Sequence, residues 1–188
     1  MGDDEYHPIE QKGSNLTKAG GIGYKVIDVL DTIQLMGLKE EYPRSRNWVQ
    51  SKLSFHCDGR FSTFEVGTYL LLLAHQLIVI LSTRNQTTIR VLGGLLSAYY
   101  LSNHDPLYLE KVVELADRIL PVFDTPSGVP LPVINLATME PSHTGDFPDL
   151  VSVAEAGTLQ LESRYSSHLT GNDVYWRKIE KVGWFSDE

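Results

Sequence analysis

Phe61-Ser-Thr-Phe-Glu65 breaks off against Val66, and Thr87-Thr-Ile-Arg-Val-Leu-Gly-Gly-Leu-Leu-Ser-Ala-Tyr-Tyr-Leu-Ser102 takes the pattern up again after an interval of 21 residues. The two edges read as one helix cut in two. On the right edge Ile89, Leu92, Leu95, Leu96 and Tyr99 recur at i, i+3, i+4 spacing, the mark of a helix with one buried face. Joined to the left edge, Glu65 and Arg90 stand four positions apart on one helix face. A carboxylic acid beside a fixed cation is a candidate for acid–base chemistry. Gly93 and Gly94 each cost a helix about 1 kcal/mol relative to Ala, which the close approach of a neighbouring helix would offset.

The interval itself, Val66–Gln86, has a different composition. Tyr69–Leu81 is the most apolar run of the chain, but at 13 residues with His75 and Gln76 inside it is shorter than the roughly 20 residues a membrane-spanning helix needs. No transmembrane span is expected. The interval corresponds to 63 in-frame nucleotides that begin at Val-Gly-Thr and end at Gln86. A valine codon opens with GT and a glutamine codon can be CAG, the usual borders of an intron. The expectation is therefore a translated, unspliced intron at 66–86, which separates Glu65 from Arg90 and destroys their shared face.

Outward from this stretch the chain reads as helices. Residues 1–20 are polar and form an entry loop; Ile22, Val26, Val29, Leu30, Ile33 and Met36 then follow helical spacing up to a stop at Gly37. A second helix runs from about Lys39 to Leu53 with Tyr42, Val49 and Leu53 inward, and tolerates Pro43 only in its first turn. Asp105-Pro106 supplies an N-cap and a first-turn proline for a helix that ends at Pro121. Residues 121–149 form a long loop without periodicity, of the kind that is more often functional or disordered than incidental. Ser152-Val-Ala-Glu155 fits a capping box, the helix behind it carries Leu159, Leu161 and Leu169, and a last short helix lies near Tyr175–Val182. No strand alternation is long enough to build a sheet. The class is all-α, built from antiparallel helix pairs.

Composition narrows the function. The formal charge of −8, from scattered acidic residues, disfavours a basic patch for nucleic acid or an anionic membrane. Cys57 is the lone cysteine, so no disulfide closes within the chain. The six histidines show no metal-ligand spacing, and His56 with Cys57 is too little for zinc. Gly20-Gly-Ile-Gly23 follows no strand and is weak as a dinucleotide motif. Two sequons for N-glycosylation occur, Asn15-Leu-Thr17 and Asn85-Gln-Thr87; the second straddles the splice border.

The joined string resembles the signature helix of glycoside hydrolase family 47, the class I α-1,2-mannosidases. Gly2-Asp-Asp-Glu-Tyr-His-Pro8, Gly20-Gly-Ile-Gly-Tyr24, Val29-Leu-Asp-Thr32, Phe123-Asp-Thr-Pro-Ser-Gly-Val-Pro130 and Ala154-Glu-Ala-Gly-Thr-Leu-Gln-Leu-Glu162 match the same family in its order. The resemblance implies part of an (α/α)7 barrel, with residues 1–188 as the N-terminal part of its catalytic domain. It implies inverting hydrolysis of terminal α-1,2-linked mannose from high-mannose N-glycans. Glu65 is then the catalytic acid, Arg90 the sugar-binding and charge-balancing arginine, and Glu155 a substrate contact. Asp28 and Asp31 are expected to be structural or outer residues.

The family's base, further pocket acids and the threonine that helps to hold its calcium lie in the later part of the enzyme. No metal ligand and no bound calcium are therefore expected in this chain, and by itself it is expected to be truncated and inactive. The family works in the endoplasmic reticulum, the Golgi or outside the cell, whereas Met1 opens a polar segment with no signal or anchor; the expectation is that the true N-terminus is lost. Gly183–Glu188 departs from the family pattern, as a frameshift would produce. The alternatives are a mannosidase-like protein that binds mannose without turnover, and a helical interaction module.

Overall fold

The computed structural model describes residues 2–63, 70–73, 76–79, 87–143, 151 and 153–184. The entry segment folds back as a hairpin, β1 (Glu5–His7) against β2 (Lys12–Ser14). Its anchor is Asp4, fully buried, whose carboxylate accepts from the N–H groups of Leu16 (3.1 Å), Ile22 (2.9 Å) and Tyr24 (3.0 Å). Tyr24 opens α1 (Tyr24–Asp28), so Asp4 satisfies orphan donors at that helix end in place of a capping side chain. Gly23 precedes it at φ 68°, and a Cβ there would lie 2.0 Å from the Trp48 ring. Only glycine fits that position.

The helix expected from Ile22 to Met36 is interrupted at Val29 and continues as α2 (Leu30–Leu35) up to Gly37. The helix α3 (Glu41–Lys52) has Pro43 in its first turn and buries Val49, with Leu53 just beyond it. After a π-helical turn, Thr87–Leu92, the chain enters α4 (Gly93–Leu101). A Cβ on Gly94 would lie 3.1 Å from the Ile27 carbonyl oxygen of α1, so the expected close helix approach is there. Asp105 caps α5 (Pro106–Ile119) by accepting from the Leu107 N–H at 3.1 Å. It also holds Arg46 of α3, whose Nη2 donates to it at 3.1 Å. That bond keeps the Asp105 carboxyl below its ordinary range.

Two sequence expectations are corrected. The start of the left edge of the split stretch is not helical: Arg60–Ser62 form strand β3, while Phe64 and Glu65 lie outside the described residues. The segment 121–149 is not all loop, for after a 3-10 turn at Leu120–Phe123 it contains other short strands. Within Tyr69–Leu81, Leu70–Leu73 (β4) and Gln76–Val79 (β5) pair antiparallel. The pairs that matter for the core are β3 with β6 (Val133–Asn135), and β6 with β7 (Glu140–Ser142). Phe61 and Ile134 face each other in this sheet and both are fully buried. Three-residue strands carry too little alternation to be read from sequence. Asn135 makes the turn that follows, with its Oδ1 accepting from the N–H groups of Ala137 (3.0 Å) and Thr138 (3.3 Å).

The C-terminal part comprises α6 (Val153–Thr158), α7 (Gln160–Thr170) and α8 (Val174–Trp184). Leu159 is buried at the α6–α7 junction, whereas Leu161 is 76 % exposed. Gly171 ends α7 at φ 70°, the left-handed conformation that suits a helix stop. The Ser152 end of the expected capping box lies outside the described residues. The fold is mostly helical, with one core that joins the sheet, α1–α5 and the α7–α8 pair. Among the described residues no helix is long and apolar enough to cross a membrane.

Candidate functional site

The site is built around Arg90, on the π-helical turn that leads into α4. Its Nη1 lies 3.2 Å from the Asp28 Oδ2 at the end of α1. Its guanidinium carbon stands 5.6 Å from the centroid of the Tyr24 ring. Tyr24 and Asp28 are four positions apart on α1, so one helix face presents an aromatic plane and a carboxylate to the same cation. The Arg90 side chain remains 41 % exposed and Asp28 34 %, so the cation is oriented without being sealed off. Burial pushes the Tyr24 phenol up to about 12, against the opposing pull of Arg90, so the ring stays neutral at ordinary pH. Next along α2, Asp31 accepts from the Ser97 hydroxyl of α4 at 3.4 Å.

A second contact ties this turn to the other edge of the interrupted stretch. The Thr88 hydroxyl donates to the Thr63 carbonyl at 2.6 Å in a buried position, across 25 positions of sequence. Thr63 in turn is held to the sheet side through its N–H, which donates to the Pro132 carbonyl at 2.9 Å. Thr63 and Thr88, described residues on either side of the interval, are thus drawn together. Glu65 itself lies outside the described residues. Glu155 is on α6, with its side chain outside them. Arg90 is the one expected site residue whose surroundings the structure gives.

Sequence reading left two participants without a role. Asp4 and Tyr24 lie in quoted motifs, but nothing local distinguishes a buried anchor from a loop carboxylate, or a cation platform from a core tyrosine. Asp28, expected as an outer residue, is the direct partner of Arg90. Glu162 comes near as well: a Cβ on Gly93 would lie 3.7 Å from its Oε1. A cleft of about 530 Å³ lies between the hairpin, α1 and α3, lined by Asp3, Lys25, Val26, Val29, Ile33 and Arg44 among others. It does not include Arg90. Among the described residues no three His, Cys, Asp or Glu side chains cluster as a metal site.

Comparison with known proteins places the chain in a family. The family described as Glycosyl hydrolase family 47 matches residues 1–77 and 81–188. The chain is 41 % identical over 182 residues to the endoplasmic reticulum mannosyl-oligosaccharide 1,2-alpha-mannosidase of Schizosaccharomyces pombe, covering 96 % of this chain and 30 % of that protein. Against the human protein of the same name it is 36 % identical, over 96 % and 22 %. The solved alpha-1,2-mannosidase from Trichoderma reesei superposes with a TM-score of 0.72 at 28 % identity, covering 97 % of this chain and 35 % of the other. The chain belongs to glycosyl hydrolase family 47, a family of α-1,2-mannosidases, and its fold matches part of their helical barrel. It spans less than a third of these two curated relatives.

Proposed function

We propose that this chain carries the acid-bearing part of an inverting α-1,2-mannosidase site and that by itself it does not turn over substrate. The observation that carries the reading is Arg90, fixed by Asp28 and Tyr24 yet open to solvent, as a sugar-binding cation must be. Inversion needs an acid on one face of the scissile bond and a base on the other, with about 6.5–9.5 Å between the carboxyl groups for the attacking water. Glu65 is the proposed acid, protonating the leaving glycosidic oxygen through a water. Arg90 binds the sugar and balances charge, and Glu155 contacts substrate. The base belongs to a part of the family domain that this chain does not span.

The proposed substrate is a high-mannose N-glycan with terminal α-1,2-linked mannose, in keeping with relatives named mannosyl-oligosaccharide 1,2-alpha-mannosidases. The proposed setting is the secretory route, as two of those relatives are named for the endoplasmic reticulum. Residues 66–86 are proposed to be intron-encoded. The contact between Thr63 and Thr88 supports this, because without those 21 residues the two stand four positions apart. That is the spacing at which a threonine hydroxyl reaches back to a carbonyl at a helix start.

Purified chain incubated with Manα1-2Man, with free mannose measured, is expected to release none. Sustained release above a Glu65→Gln control would overturn the proposed inactivity. Release that persists unchanged in that variant would remove Glu65 from the acid role as well.

A further inference from the structure

We infer that Asn15 is an N-glycosylation site, carrying an oligosaccharide on its Nδ2. Asn15-Leu-Thr17 has the acceptor pattern, with threonine at the third position and no proline at the second. The structure places Asn15 on the surface, in the turn between β2 and α1. Its Oδ1 is turned in against Gly21, where a Cβ would lie 2.5 Å away. Among the described residues no hydrogen bond engages its Nδ2, so a substituent there displaces no interaction.

The rest of the triplet is anchored independently of the acceptor. The Leu16 N–H is held by Asp4 at 3.1 Å, and the Thr17 hydroxyl donates to the Gly20 carbonyl at 2.7 Å. The turn therefore keeps its shape whether or not Asn15 is modified. This separates it from Asn85-Gln-Thr87, which disappears if residues 66–86 are spliced out.

The donor class is a lipid-linked oligosaccharyl diphosphate. A bond forms between Nδ2 and the anomeric carbon of the first sugar, and the bond from that carbon to the diphosphate oxygen breaks. The lipid diphosphate leaves with the electron pair, and one Nδ2 proton is lost.

The inference rests on the secretory placement proposed above only for delivery, which the test supplies separately. The full chain, placed behind a cleavable signal, is translated with microsomes, and protease protection reports its translocation. Asn85→Gln is expected to show a one-glycan mobility shift that an N-glycosidase reverses. Asn15→Gln in the Asn85→Gln background is expected to lose the shift, and Thr17→Ser to keep part of it. Protected Asn85→Gln chain without a shift, or a shift that survives Asn15→Gln in that background, would overturn the inference. Natural delivery to the secretory route can fail without affecting either result.

Discussion

At the scale of single residues, Asp4 is the most consequential side chain near the site, although it is not in contact with Arg90. One buried carboxylate gathers three backbone N–H groups from positions 16, 22 and 24, and so fixes where α1 begins. Tyr24 and Asp28 then meet Arg90 because α1 begins there. Removing the carboxylate in Asp4→Ala leaves buried donors unsatisfied, at about 1–3 kcal/mol for such a group. Urea unfolding should show a loss of at least about 2 kcal/mol, and a change within experimental error would mean that water takes over those donors. Tyr24 gives a pH signature. Its phenol ionises near 12 in the folded chain and near 10 when unfolded, so the unfolded state loses its proton first as pH rises. Stability from this group is therefore level below pH 10 and falls between about 10 and 12. Tyr108 and Tyr175, also shifted upward by burial, act in the same direction. Denaturant midpoints across that range should fall less steeply in Tyr24→Phe than in the wild type.

At the scale of elements, the junction between β3 and α4 is decisive. The sheet holds Thr63 through Pro132, and Thr63 holds Thr88 at the start of the π-helical turn. A chain lacking residues 66–86 should close this junction without strain, keep its helical circular dichroism and melt no lower than the full chain. A deletion variant that unfolds would remove the support for an intron at this place. The start of α5 can be probed alone. Asp105→Ala removes both the cap on the Leu107 N–H and the partner of Arg46, for a loss of about 1–2 kcal/mol in thermal or urea melts. Because Arg46 lowers the Asp105 carboxyl, that contribution is present above the ordinary carboxylate pKa and is lost as pH falls through the folded value.

At the scale of the whole molecule, the chain forms one core but leaves Leu35, Met36, Tyr100 and Leu161 between 63 and 76 % exposed. The solved relative that it matches continues well beyond the 35 % that superposes. Large apolar side chains left open in this way favour self-association. Leu35→Lys with Leu161→Lys should raise the monomer fraction in sedimentation without lowering the melting temperature.

The sequence by itself determined the family, the helical class, the extent of most helices, the Asp105-Pro106 start of α5, and the close packing at Gly94. These are short-range patterns: periodicity, caps, small residues and motif order are all written within a few neighbouring positions. It also offered Arg90 as a candidate site residue. Only the tertiary structure decided that Arg90 sits between Asp28 and Tyr24, that Asp4 anchors their helix, and that Arg60–Ser62 is a strand. Each depends on groups 20 to 75 positions apart meeting across the core, as Asp4 with Tyr24, Asp28 with Arg90 and Arg60 with Asn135 do. No local pattern encodes such a meeting. A three-residue strand is too short to alternate visibly, and a carboxylate that caps a distant helix looks in sequence like any other acidic residue in a loop.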